Sequence, residues 1–182
     1  MAERLYFTDD PEACELIARD PFALLVGFAI DQQVPVQKAF AGPLALKRRL
    51  GTLEPRALAA LDLEGAFREK PAIHRFPGSM AKRVGQLAAV VSEDYGGDAS
   101  RIWSEAADAE ELGRRLAALP GFGPMKVTTL ASVLSRRLGV AKAAPLAPGH
   151  TTLGDVDSPQ ALRDYQAGKR ARKAELRAAS GA

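Results

Sequence analysis

The segment Leu119-Pro120-Gly121-Phe122-Gly123-Pro124-Met125-Lys126 has the residue types and spacing to hold an anion on its backbone. Two glycines separated by one residue follow a helix-like stretch, and Pro124 stands where a following helix would begin. Glycine accepts positive φ and lets a ligand approach the main chain without meeting a Cβ. The first amides of a helix have no intrahelical acceptor and carry the positive end of its dipole, so a phosphate fits there. Leu119 and Phe122 would lock such a hairpin from its apolar side, and Lys126 would add a nearby positive charge. A contact of this kind positions a duplex by its backbone and reads no base sequence. The same Gly-x-Gly spacing also serves a plain αα-turn, so the spacing by itself leaves both readings open.

The elements that must position this segment are predicted to be helices. Ala, Leu, Arg and Glu dominate, β-branched and aromatic residues are few, and the chain is expected to be all-α. Asp10-Pro11 and Asp20-Pro21 open two helices with an acidic cap and a proline in the first turn. The second carries Phe22, Leu24, Leu25, Phe28, Ala29 and Ile30, apolar nearly all round, and belongs in the centre of a bundle. Helices are further predicted over 36–50, from Glu54-Pro55, over 63–69, from Ser79 to about Tyr95, over 102–105, 109–118 and 124–138, and from Ser158. Residues 140–154, rich in proline and glycine, are predicted to be mostly irregular. The 182 residues are read as a single domain, with its hairpin at 109–138 and a basic C-terminal helix at 158–178.

Composition narrows the chemistry. A single cysteine, Cys14, excludes a disulfide framework, a four-cysteine iron–sulfur cluster and a cysteine-based zinc site within the chain. His150 has no second ligand close in sequence. The acidic N-terminal stretch does not resemble a signal peptide, and the apolar run 22–30 is too short to span a bilayer, so a cytoplasmic monomer is expected. The formal net charge is only +3, but it is unevenly spread. Residues 1–31 hold seven acids against two bases, whereas residues 135–182 hold nine bases against four acids. A basic C-terminal end suits either a polyanionic partner or a solvated helix.

With the full Leu-Pro-Gly-Phe-Gly-Pro string, the segment resembles the helix-hairpin-helix motif of DNA repair proteins. Two further stretches fall in the order of the helix-hairpin-helix DNA glycosylase superfamily. Residues 24–39, with Asp31-Gln32-Gln33-Val34-Pro35-Val36, resemble the early core helix and Gln-Gln turn of the 3-methyladenine glycosylase II type. Residues 76–88, with Phe76-Pro77-Gly78-Ser79-Met80-Ala81-Lys82-Arg83-Val84, resemble the stretch preceding the hairpin. The similarity covers roughly 23–138.

This resemblance implies a two-lobed helical fold that binds duplex DNA across a cleft, flips a damaged base and hydrolyses its glycosidic bond. By the same analogy Gln33 would fill the gap left in the base stack, with Gln32 beside it. Gly121, Phe122, Gly123, Met125 and Lys126, with Leu119, would meet the DNA backbone. Carbonyls of Ala117, Leu119 and Phe122 would hold a monovalent cation; no other cofactor is implied. His74 and Phe76 are candidates for the base pocket. An Asp is needed to stabilise the oxocarbenium character of the sugar. The family's position for it falls near 143–145, where there is no acid, so Asp155 and then Asp157 are the candidates, at the end of an inserted irregular segment. Asp157 also suits a helix cap. The family's Schiff-base lysine position is occupied by Met125, so lyase chemistry is not expected. A monofunctional glycosylase is the leading reading. A non-catalytic DNA-binding or damage-sensing protein and a helical protein-interaction module are the alternatives.

Overall fold

The computed structural model describes residues 1–181 and is all-α, with ten α-helices, two 3-10 turns and no strand among the described residues. The helices are α1 (Pro11–Arg19), α2 (Pro21–Ile30), α3 (Val36–Leu50), α4 (Pro55–Ala59) and α5 (Glu64–Arg68). They continue as α6 (Pro77–Asp94), α7 (Arg101–Ser104), α8 (Ala109–Ala117), α9 (Pro124–Arg136) and α10 (Pro159–Ser180).

Local chemistry accounts for most boundaries. Asp10 and Asp20 each accept two first-turn amides through their carboxylates, and Pro11 and Pro21 occupy positions whose missing N–H is no loss. Helix α6 starts at Pro77, two residues before the predicted Ser79, because Pro77 is preset for a first turn. The cap of α10 is Ser158, whose hydroxyl accepts the Ala161 amide at 3.1 Å, and not Asp157, which is exposed.

Helix α2 is buried along nine of its ten residues. It runs through one set of helices, packing on α1, α3 and α6, while α4 and α5 lie on α6. A Cβ on Gly27 would lie 2.4 Å from Phe40, so α2 and α3 approach closely, and Phe40 meets Phe7 and Phe28 edge-on. A second set joins α8 and α9 to the segment 140–156. That segment is irregular as expected, but it holds 3-10 turns at Ala141–Leu146 and Leu153–Asp155 and is firmly docked. Ser132 and Thr152 share a buried 2.6 Å hydrogen bond, and Gly154 lies so near Ser132 that a Cβ would fall 2.1 Å from its hydroxyl. Helix α10 bridges the sets, with Gln166 and Gln37 exchanging side-chain hydrogen bonds of 2.6 and 2.8 Å. From Ala167 onward it is exposed and carries Lys169, Arg170, Arg172, Lys173 and Arg177 against Glu175.

Candidate nucleic-acid interface

The hairpin between α8 and α9 is a Pro-Gly turn. The Phe122 amide donates to the Leu119 carbonyl at 3.1 Å, and Gly121 sits at φ +79°, which a β-carbon resists. Gly121 is required for a second reason. The Arg83 side chain crosses it so closely that a Cβ would meet its Nε at 2.6 Å. Leu119 and Phe122 are buried and lock the turn from below, so only their main chain is available to a ligand. Gly121, Gly123 and Pro124 are exposed, and Met125, 79% exposed, projects beyond them. The amides of Gly121, Gly123, Met125 and Lys126 have no acceptor among the described residues, because the first inward bond of α9 comes from Val127 to the Gly123 carbonyl. Four donors without a protein acceptor stand at or beside the positive end of a 13-residue helix, three of them on exposed residues.

Carbonyls on the same turn retain acceptor capacity. Those of Ala117 and Phe122 accept nothing among the described residues, and that of Leu119 accepts one bond. This leaves each at least one lone pair for a cation.

Lys126 departs from its expected position over a DNA backbone. It is half-buried and turned inward, and its ammonium donates to the Ala29 carbonyl at 3.3 Å. Burial, and then the charge of Arg83, lowers its pKa to about 8, against an opposing pull from Asp31. Arg83 reaches the same carbonyl at 3.3 Å and donates to the Gln32 side chain at 2.5 Å. The carboxyl end of α2, the Gln-Gln turn and the hairpin therefore meet around two cations.

Within that turn Gln33 is exposed and held at φ +56°, a left-handed conformation that is strained for a residue with a Cβ. Gln32 is exposed too, and its carbonyl accepts from His74 Nε2 at 2.9 Å. His74 also accepts the Phe76 amide on Nδ1 at 3.0 Å, which defines a neutral ring protonated at Nε2. With 0% exposure, His74 cannot line a base pocket; it fixes the Gln-Gln turn from behind. Phe76 does remain on the surface, 41% exposed, with the Arg75 guanidinium 4.9 Å from its ring.

The carboxylate candidates are placed elsewhere. Asp155 pairs with Arg136 and accepts the Thr152 amide at 2.8 Å, completing a capping box with Thr152. Arg136 is the last residue of α9, and at 1.5 Å per residue it lies about 18 Å from the hairpin end of that helix. The inserted segment is pinned along α9 and carries Asp155 away from the hairpin, so its role is that of a cap. Asp157 is exposed and pairs with nothing among the described residues. Ala143, near the position where the resembled family has its acid, is wholly buried. Asp155→Ala is expected to destabilise the fold by about 1 kcal/mol, as for loss of a cap, and to leave duplex-DNA affinity unchanged. Thermal melting and a binding isotherm check both halves.

A carboxylate that sequence reasoning passed over lies beside the hairpin. Asp31 ends α2, its backbone amide donating to Phe28, and its half-buried side chain makes no hydrogen bond or ion pair with a described residue. Burial raises its pKa, while Lys169 and Lys126 pull it down. Tyr165 of α10 completes the group, its hydroxyl pKa raised by burial and by the Asp31 charge. The only advance signal was an acid following a wholly apolar helix, where the dipole disfavours negative charge.

No protein-family model matches the chain, and no curated protein or solved structure matches it. Among the described residues no helix is long and apolar enough to cross a membrane, and no group of three metal-ligating side chains forms.

Proposed function

We propose that this chain binds duplex DNA through the hairpin of α8 and α9 and acts there as a monofunctional base-excision glycosylase. The observation that carries the reading is the exposed Gly121–Lys126 bend with four amides that no protein group accepts from. Such a bend receives a backbone phosphate, and a monovalent cation on the Ala117, Leu119 and Phe122 carbonyls would add a compensating charge there. Gln33, strained and exposed in the adjoining turn, is suited to fill the space a flipped base leaves. The projecting basic half of α10 supplies further charge for the duplex.

A second reading has its own support. With Asp155 committed to a cap and Ala143 near the family's acid position, a binding protein without catalysis is the alternative on the same scaffold. A panel of duplexes carrying alkylated, oxidised or deaminated bases separates the two, with free base and alkali-labile sites as the readout. Release from at least one lesion is expected. Salt-dependent binding with no release from any lesion would favour the sensor, and absence of salt-dependent duplex affinity would remove both.

A further inference from the structure

We infer that Asp31 is the carboxylate that stabilises the sugar cation and receives the proton of the attacking water at this site, an assignment that rests on the glycosylase reading above. Position is the first argument. Asp31 is joined directly to Gln32-Gln33, the turn that would sit where a base leaves the stack. Lys126, in the first turn of the helix that follows the hairpin bend, donates to the Ala29 carbonyl two residues before Asp31 at 3.3 Å, so a nucleotide gripped by the hairpin would bring its sugar to the end of α2 that carries Asp31.

Local cost is the second argument. Asp31 places a carboxylate at the negative end of α2, half-buried, without a hydrogen bond or a close ion pair. Nothing in folding calls for that charge, and unfavourable local choices of this kind concentrate where a protein needs a reactive group. The cationic neighbours keep it usable. Lys126 from α9 and Lys169 from α10 draw it toward the ionised form against burial, its charge in turn raises the pKa of Tyr165, and Arg83 of α6 reaches the Ala29 carbonyl two residues back. Neither lysine comes within ion-pair distance, so no partner consumes the carboxylate. They act as positioning residues.

The chemistry balances without a further reagent. The bond from the sugar C1′ to the base nitrogen breaks, and its electron pair leaves with the base. The oxocarbenium ion that remains is held by the Asp31 carboxylate. Water adds to C1′ and transfers a proton to Asp31, which passes it to the departed base. The products are the free base and an abasic-site hemiacetal.

The test does not need the lesion. Two duplexes are compared, one carrying a pyrrolidine abasic analogue, cationic where the sugar cation would form, and one carrying a neutral tetrahydrofuran analogue. The native protein is expected to prefer the pyrrolidine by about 10- to 100-fold, as a desolvated charge pair would give. Asp31→Asn should abolish the preference, and Asp155→Asn should keep it. Burial makes the ionised Asp31 a liability, since its folded pKa lies above the ordinary value of 3.8. Its favourable contribution is then complete only below that value and lost as pH rises through the folded pKa. Asp31→Asn should therefore raise the melting temperature at neutral pH, which separates loss of preference from loss of fold. Preference retained in Asp31→Asn, or no preference in a native protein that binds both duplexes, overturns the assignment and leaves DNA binding intact. No salt-dependent affinity for either duplex overturns the glycosylase reading with it.

Discussion

Gly123→Val is expected to weaken binding to duplex DNA by about 10- to 100-fold while moving the melting temperature by no more than about 1 °C. Gly123 is the cleaner of the two hairpin glycines to change. Its φ of −81° suits any residue, and a Cβ there meets nothing within 4 Å. The new side chain would point into the space that a phosphate oxygen must enter. Losing one amide bond to a charged oxygen removes about 1.5–3 kcal/mol, which sets the expected range. Gly121 cannot serve this way, because its positive φ and the crossing Arg83 would damage the fold together with the clip. A fluorescence-anisotropy titration beside a thermal melt decides the matter. Native affinity in a folded Gly123→Val protein would mean that the bend does not receive DNA.

His74→Ala is expected to lower stability by about 3–5 kcal/mol, a fall in melting temperature of roughly 6–20 °C for a chain of this size. The ring is fully buried and satisfies two main-chain groups from opposite sides, the Gln32 carbonyl and the Phe76 amide. Its removal leaves both unpaired above a cavity. Because Gln32 and Gln33 share the turn that the ring supports, DNA affinity should fall in the same variant even below its melting point. A pH dependence follows from the same burial. Desolvation holds the His74 pKa below the ordinary 6.5, although its backbone carbonyl bonds pull the other way. The unfolded chain then takes up a proton more readily than the folded one below that value. The contribution of His74 is complete above pH 6.5 and lost as pH falls through the lower folded pKa. Denaturant melts at pH 7.5 and 5.5 should show a loss in the native protein that is smaller in His74→Gln. Equal losses in both would remove His74 from the account.

The sequence by itself determined most of the helices, because many carry their own punctuation. Asp10-Pro11, Asp20-Pro21, Glu54-Pro55 and Ser158-Pro159 combine an acidic or hydroxyl residue with a proline at a helix start, and those four starts stand where they were read. Gly121 was legible for the same reason, since a turn that needs positive φ leaves few residues to choose from. What tertiary structure alone decided is which charged groups share a space. Asp155 had a suitable identity and a suitable place in chain order, but Thr152 and Arg136 hold it at the far end of α9. His74, which its sequence context makes a base-pocket candidate, is a buried strut. Asp31, Arg83, Lys126, Tyr165 and Lys169 come from the end of α2 and three further helices, up to 138 positions apart (31 to 169), and no local pattern joins them. Their meeting depends on how α2, α6, α9 and α10 pack. That arrangement is set by long-range burial of apolar surface, whereas caps and turns are set by neighbours along the chain.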